Sequence, residues 1–190
     1  MQTLPRPTGL YDPRFEHDSC GVSFVAHMRG VRSNDLVMTG LRALTNLAHR
    51  GATGAEPDTG DGAGILLQIP DAFLRAVAGF ELPAAGAYAA GIAFLPTEAL
   101  ALEKAMDAIE DIAVEEGLRV LGWRELPIAP DCLGATARAA MPTMKQFFVS
   151  AADGATGIDL DRMTFVARKR AEHELTEDLT SYFSSLSART

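Results

Sequence analysis

The stretch EHDSCGVSFVAHM, residues 16–28, decides how this chain is read. Four polar residues, Glu16 to Ser19, precede a cysteine, and a glycine follows it directly. From Gly21 to Met28 the side chains alternate, with Val22, Phe24 and Ala26 on one side and Ser23, Val25 and His27 on the other. That period of two predicts a strand. A lone cysteine is most often a small buried hydrophobe, but such a residue does not need the front of a strand. A nucleophile does: the strand holds the sulfur on a rigid frame, and Gly21 leaves its flank open. If the Ser19–Cys20 peptide bond is cut, Cys20 also gains a free α-amino group. Its reference pKa of about 7.7–8.0 suits a general base near neutral pH. One residue then supplies both nucleophile and base, with no histidine partner. Residues 1–19, which hold Pro5, Pro7, Gly9 and Pro13, read accordingly as a leader or propeptide.

The bulk properties fit a folded enzyme segment. Apolar residues make up 47% of the 190, enough for a core, and charged residues 22%, too few for a disordered chain. The net charge of −8 gives no electrostatic reason to bind nucleic acid or an anionic membrane. The densest basic run, Arg168-Lys169-Arg170, reads as a solvated helix end. Met1–Phe15 has no apolar h-region. The longest apolar run, Ala84–Leu95, is broken by Gly86 and Gly91 and is shorter than the roughly 20 residues of a membrane span. Cys20 and Cys132 form neither a CxxC pair nor a zinc pattern, so no metal site is expected. The chain reads as reduced and cytoplasmic.

Outward from residue 28, strands and helices alternate. Ser33 or Asn34 caps a helix to about Ala48 with Val37, Leu41, Leu44 and Ala48 as its stripe. The glycine-rich stretch HRGATGAEPDTGDGAG, residues 49–64, predicts a loop that delivers the chain into a short buried strand, Ile65–Ile69. A helix opens at Pro70-Asp71 and ends near Gly79, and a strand covers Gly86–Leu95. The clearest helix starts at Pro96-Thr97, carries Leu102, Ala105, Met106, Ile109, Ile112 and Ala113 on one side, and stops at Gly117. Strands follow at Leu118–Leu126 and Lys145–Ser150, with a short helix at Asp131–Ala139 between them and a helix at Asp159–Glu174 after them. Residues 180–190, TSYFSSLSART, read as a last strand. The order predicts an α/β or α+β fold.

Several motifs fail on inspection. DTGDGAG lacks both the third glycine of GxGxxG and the Gly-Lys pair of a phosphate loop, and Asp58 and Asp61 would repel phosphate. These aspartates also lack EF-hand spacing. HELTE at 173–177 has Glu where a zincin helix needs its second histidine, so His173 and Glu174 read as a solvated helix end. GVSFV lacks the closing glycine of a nucleophile elbow.

Two blocks do carry a family resemblance. GLYDPRFEHDSCGVSFVA, followed by LTNLAHRGATGAEPDTGDGAGILLQIP, resembles the amino-terminal amidotransferase domain of glutamate synthase large subunits. Such domains are class II glutamine amidotransferases, a branch of the N-terminal-nucleophile (Ntn) hydrolases. HRG at 49–51 is the element shared across the class, and EPDTGDGAG points to glutamate synthase rather than to amidophosphoribosyl transfer or asparagine synthesis. The resemblance implies an α+β fold, the αββα four-layer sandwich, present here in part. It implies a propeptide at residues 1–19 cleaved between Ser19 and Cys20, and an amidotransferase segment at 20–190. Cys20 is then the nucleophile that takes glutamine through a γ-glutamyl thioester to glutamate and ammonia. Arg50, in HRG, stands beside it; taken alone, Arg50 reads equally well as a loop brace paired with Glu56 or Asp58. His49 and residues 51–64 shape the site rather than react.

In the family, ammonia passes to a synthase domain for reductive glutamate synthesis from 2-oxoglutarate. The implied FMN and iron–sulfur cluster belong to later domains, and no cofactor is expected in this segment. The implied partners are those domains and a small electron-donating subunit or ferredoxin. The chain departs from the pattern in having Ser23 where glycine is expected and in having no Asn-Gly pair for an oxyanion hole; its asparagines are Asn34 and Asn46. The oxyanion and substrate-clamping residues are expected beyond Thr190, and residues 1–190 alone are expected to be nearly inactive. The rival reading is a non-catalytic binding or assembly module derived from the same family.

Overall fold

The computed structural model describes residues 9, 21–51, 56, 58–60 and 62–190. The chain divides into two compact units, Met1–Ile65 with Pro130–Ala139, and Leu66–Ala129 with Ala140–Thr190.

In the first unit, helix α1 spans Asn34–Asn46, and the Ser33 hydroxyl caps it by accepting from the Leu36 N–H at 3.4 Å. No residue of α1 is fully buried. Its shielded side runs through Val37, Gly40, Leu44 and Leu47, rotated from the expected stripe, and Leu41 and Ala48 are exposed. A 3-10 turn, Ala48–Arg50, follows directly.

The predicted strand at Gly21–Met28 is not formed. The segment has no regular secondary structure, and Val22, Phe24 and Met28 are 86%, 93% and 102% exposed. Alternation fixes which side chains share a side, but a strand exists only where a neighbour takes its backbone N–H and C=O groups. The segment ends in a turn in which the Gly30 N–H donates to the His27 carbonyl at 2.8 Å. The His27 ring Nδ1 also accepts from the Arg29 and Val31 N–H groups, at 3.3 and 3.2 Å. The expected short helix at 131–139 is split into a 3-10 turn, Pro130–Cys132, and α4, Ala135–Ala139.

The second unit is an α+β arrangement. Helix α2 (Asp71–Val77) precedes β1 (Ala89–Leu95), α3 (Ala99–Glu115), β2 (Leu118–Glu125), β3 (Thr143–Ala151), α5 (Gly157–Glu174) and β4 (Tyr182–Phe183). The sheet order is β2-β3-β1-β4, with every pairing antiparallel. Odd-numbered β1 and β3 residues, among them Ala89, Ala93, Phe147 and Val149, pack on the side of Ala105, Ile109, Leu160 and Ala167 from α3 and α5. Ala90 and Phe148 point the other way, into a smaller cluster with Leu74, Ala78, Leu82 and Tyr88. The alanines of β1 suit a central strand whose neighbours approach closely on both sides.

Helix α3 matches its expected stripe, with the Glu98 carboxylate capping it from the Ala101 N–H at 2.7 Å. Two expectations are corrected. The basic triplet is not a solvated end: Arg170 is bound by Glu174 on its own helix and by Glu115 and Glu116 at the end of α3, at 2.7–2.8 Å. Arg168 and Lys169 both face Glu172. Arg170 therefore fastens α5 to the end of α3, and Arg168 and Lys169 pair within α5. The predicted strand at Ile65–Ile69 is not formed; Ile65 and Leu66 are exposed, and the Ile69 N–H donates to the Arg189 carbonyl at 3.0 Å.

The predicted strand at 180–190 shrinks to β4 and one bridge between Ala90 and Ser187. Asp161 of α5 interrupts it by accepting from the Ser187 hydroxyl at 2.9 Å and the Ala188 N–H at 2.7 Å. Gly91 is what lets this segment lie on β1: a Cβ there would stand 1.9 Å from the Ser185 carbonyl oxygen. No helix among the described residues is long and apolar enough to cross a membrane.

Candidate active site

Helix α1 brings the chain to the HRG element. Its C-terminal carbonyls lack intrahelical donors, and local groups supply them. The Leu47 N–H donates to the Ala43 and Leu44 carbonyls, both at 3.1 Å, and the Arg50 N–H to the Leu47 carbonyl at 2.8 Å. His49 Nδ1 lies 2.9 Å from the Asn46 carbonyl oxygen. A carbonyl only accepts, so this nitrogen carries the proton and the imidazole serves as a helix-end tie.

Arg50 is exposed at the end of the 3-10 turn. Among the described residues no ion pair joins it to Glu56 or Asp58. Glu56 is engaged elsewhere: Oε1 accepts from the Ala135 N–H at 3.0 Å, and Oε2 from the Thr136 N–H at 3.1 Å and from the Thr59 hydroxyl. The Thr59 hydroxyl first, then the Thr136 N–H, hold the Glu56 carboxyl below the ordinary carboxylate range.

Ser19 and Cys20 lie outside the described residues, but Gly21 is described. A Cβ on Gly21 would stand 3.0 Å from Leu47 Cδ2 and 3.2 Å from Arg50 Cβ. The residue after the candidate nucleophile thus rests on the turn that carries the candidate arginine. Gly21 makes a close approach to Leu47 and Arg50. Cys132, the other cysteine, is exposed in the 3-10 turn before α4. Among the described residues no group of three or more His, Cys, Asp or Glu is placed to hold a metal ion.

The sequence reading missed the junction of Glu56, Thr59 and Gly134. A weak signal existed: α4 is preceded by Leu133-Gly134, with no Ser, Thr, Asp or Asn to cap it. The cap comes from a residue some eighty positions earlier.

The profile of the glutamine amidotransferases class-II family matches residues 20–190. The chain belongs to that family. Membership brings the α+β fold of Ntn hydrolases, to which the antiparallel sheet and its helices conform. The chain is 40% identical over 190 residues to the NADPH glutamate synthase large chain of Bacillus subtilis, covering 98% of this chain. It is 38% identical to the NADH glutamate synthase of Schizosaccharomyces pombe over 98% of this chain. The identity to the ferredoxin-dependent glutamate synthase 2 of Synechocystis is also 38%, over 92% of this chain. The chain spans 12%, 9% and 11% of the lengths of these three relatives.

Proposed function

We propose that residues 20–190 are the leading part of the glutaminase site of a glutamate synthase, with Cys20 as nucleophile and its own α-amino group as base. The observation that carries this reading is the seat of Gly21 on the Leu47–Arg50 turn, which supports putting Cys20 and Arg50 in one site. The family match beginning at Cys20 supports cleavage after Ser19 and a propeptide at residues 1–19.

The steps follow from the chemistry of the groups. The α-amine takes the thiol proton, and Sγ attacks the side-chain amide carbon of glutamine. The tetrahedral oxyanion collapses, the C–N bond breaks, and the protonated amine gives its proton to the departing nitrogen, which leaves as ammonia. Water then gives a proton to the amine and adds to the thioester; the C–S bond breaks, the protonated amine returns its proton to the sulfur, and glutamate leaves. An amine of pKa about 7.7–8.0 serves both directions. The Arg50 guanidinium favours the thiolate by its fixed positive charge.

In this reading the ammonia would pass to remaining domains of the parent chain, and FMN and an iron–sulfur cluster held there would supply the reducing chemistry for glutamate synthesis from 2-oxoglutarate. The named relatives differ in electron donor at nearly equal identity, which supports donor choice lying outside this segment. A thiol nucleophile fits a reducing, cytoplasmic setting.

Two assays test the reading. In the full-length enzyme, Cys20→Ser abolishes glutamine hydrolysis, and Arg50→Gln lowers it while raising the pH at which Cys20 is alkylated. Unchanged hydrolysis in Cys20→Ser rejects the nucleophile. Residues 1–190 expressed alone release ammonia at least about 10²–10³-fold more slowly than the full enzyme, the usual cost of losing one oxyanion donor. They contain no Asn-Gly pair. A normal rate from residues 1–190 rejects that part of the reading.

A further inference from the structure

We propose that Glu56 is a positioning residue for the Arg50 turn: its carboxylate ties Glu56 and Thr59 to α4, and so anchors the chain six residues beyond Arg50. The inference rests on the assignment of Arg50 made above and extends it to a residue outside the HRG element.

Three donors converge on Glu56, and both carboxylate oxygens are used. Oε1 accepts from the Ala135 N–H; Oε2 accepts from the Thr136 N–H and the Thr59 hydroxyl. A glutamine of the same shape cannot reproduce this, because its NH2 group would face an N–H donor. A fourth tie runs from the Gly134 N–H to the Asp58 carbonyl at 3.0 Å. The fit leaves no room for a side chain at Gly134: a Cβ would stand 2.2 Å from Thr59 Oγ1 and 2.5 Å from Glu56 Oε2.

A loop is positioned by both of its ends. One end here is the 3-10 turn, held by the Leu47 and Ala48 carbonyls. The other is the Glu56 junction. If the junction opens, the chain leaving Arg50 is held at one end only, and a displacement of about 1 Å at a reacting centre can cost about 10²-fold in rate. The lowered pKa of Glu56 means that it stays ionised, an acceptor at both oxygens, throughout the neutral range.

The experiment uses the full-length enzyme and four variants: Glu56→Gln, Thr59→Val, Gly134→Ala and Arg50→Gln. Two quantities are read: kcat and KM for glutamine hydrolysis, and the rate of Cys20 alkylation by iodoacetamide against pH. Glu56→Gln lowers kcat by about ten- to hundredfold and moves the alkylation profile to higher pH, in the direction of Arg50→Gln. Thr59→Val, which removes one bond to Oε2, gives a smaller change of the same sign. Gly134→Ala displaces the carboxylate without altering it and gives the same shift, so the inference stays testable if Glu56→Gln does not fold. If Arg50→Gln moves the profile while Glu56→Gln and Gly134→Ala leave it at wild type, the latch is overturned and the role of Arg50 stands. If Arg50→Gln itself leaves the profile unmoved, the role of Arg50 falls and the latch falls with it.

Discussion

Gly91→Ala is the sharpest test of how the second unit is built. Position 91 lies in β1, paired with Phe147 of β3 on one side. On the other side the Ser184–Ala188 segment crosses it. The new methyl would stand 1.9 Å from the Ser185 carbonyl oxygen and 2.9 Å from Leu186 Cα. Contacts below 3.0 Å are not sustained, so the segment must move by at least 3.0 − 1.9 = 1.1 Å. Three backbone bonds depend on its present place: Ser184 N–H to the Ile92 carbonyl at 3.0 Å, Ala90 N–H to the Ser187 carbonyl at 3.0 Å, and Ser187 N–H to the Ala90 carbonyl at 3.2 Å. A bond of 3.0 Å stretched by 1.1 Å is no longer a hydrogen bond. Losing two or three, at about 0.5–1.5 kcal/mol each, and loosening buried Phe183 and Leu186 gives a destabilisation of about 2–5 kcal/mol. Intrinsic preference alone would have the opposite sign, since Ala in a strand is favoured over Gly by about 0.5–1 kcal/mol. The single tryptophan, Trp123, stacks on buried Phe147 at 4.3 Å and reports the same core. Urea titration followed by its fluorescence should show a lower midpoint for Gly91→Ala with an unchanged slope. A midpoint equal to or above wild type refutes the close approach.

Asp161→Ala removes the acceptor for the Ser187 hydroxyl and the Ala188 N–H, so amide exchange at Ala188 should accelerate before global unfolding does. Stability should fall in acid. For Glu174 the Arg170 guanidinium lowers the folded-state pKa; for Glu172 burial acts upward, but Lys169, the Phe183 N–H and Arg168 outweigh it. Lowered carboxylate pKa values give stability that is present above the unfolded value of about 4.3 and is lost as pH falls through the folded values; thermal melts from pH 6 to pH 3 measure it. At the alkaline end, burial and the hydrogen bond to Asp71 push the Tyr88 hydroxyl upward. That contribution is complete below the unfolded value of about 10 and is lost as pH rises beyond it. Tyr88→Phe should flatten the decline seen in melts above pH 10.

The second unit was largely legible because its signals are local. Leu102 to Ala113 repeat at helical spacing, and β2 and β3 lie within a residue or two of their expected bounds. What failed depends on partners. Gly21–Met28 and Ile65–Ile69 have strand composition, but pattern cannot supply a neighbouring ladder. Residues 180–190 have strand alternation, but Asp161 takes the Ala188 N–H from the ladder. At the candidate site, Cys20 and Arg50 are proposed from residue type and from the resemblance carried by the HRG and EPDTGDGAG blocks. The approach of Gly21 to the Leu47–Arg50 turn, and the hydrogen bonds of Glu56 to α4, were not legible, because each joins residues distant in the chain.

The central claim is that Cys20 is an N-terminal nucleophile. The most direct measurement is peptide mapping by mass spectrometry of the full-length enzyme after reaction with a diazoketone analogue of glutamine. The account predicts one labelled peptide, beginning at Cys20 and modified on its sulfur, in proportion to the lost glutaminase activity. A label on Cys132, or on a Cys20 peptide that still carries Ser19 at full activity, would contradict it.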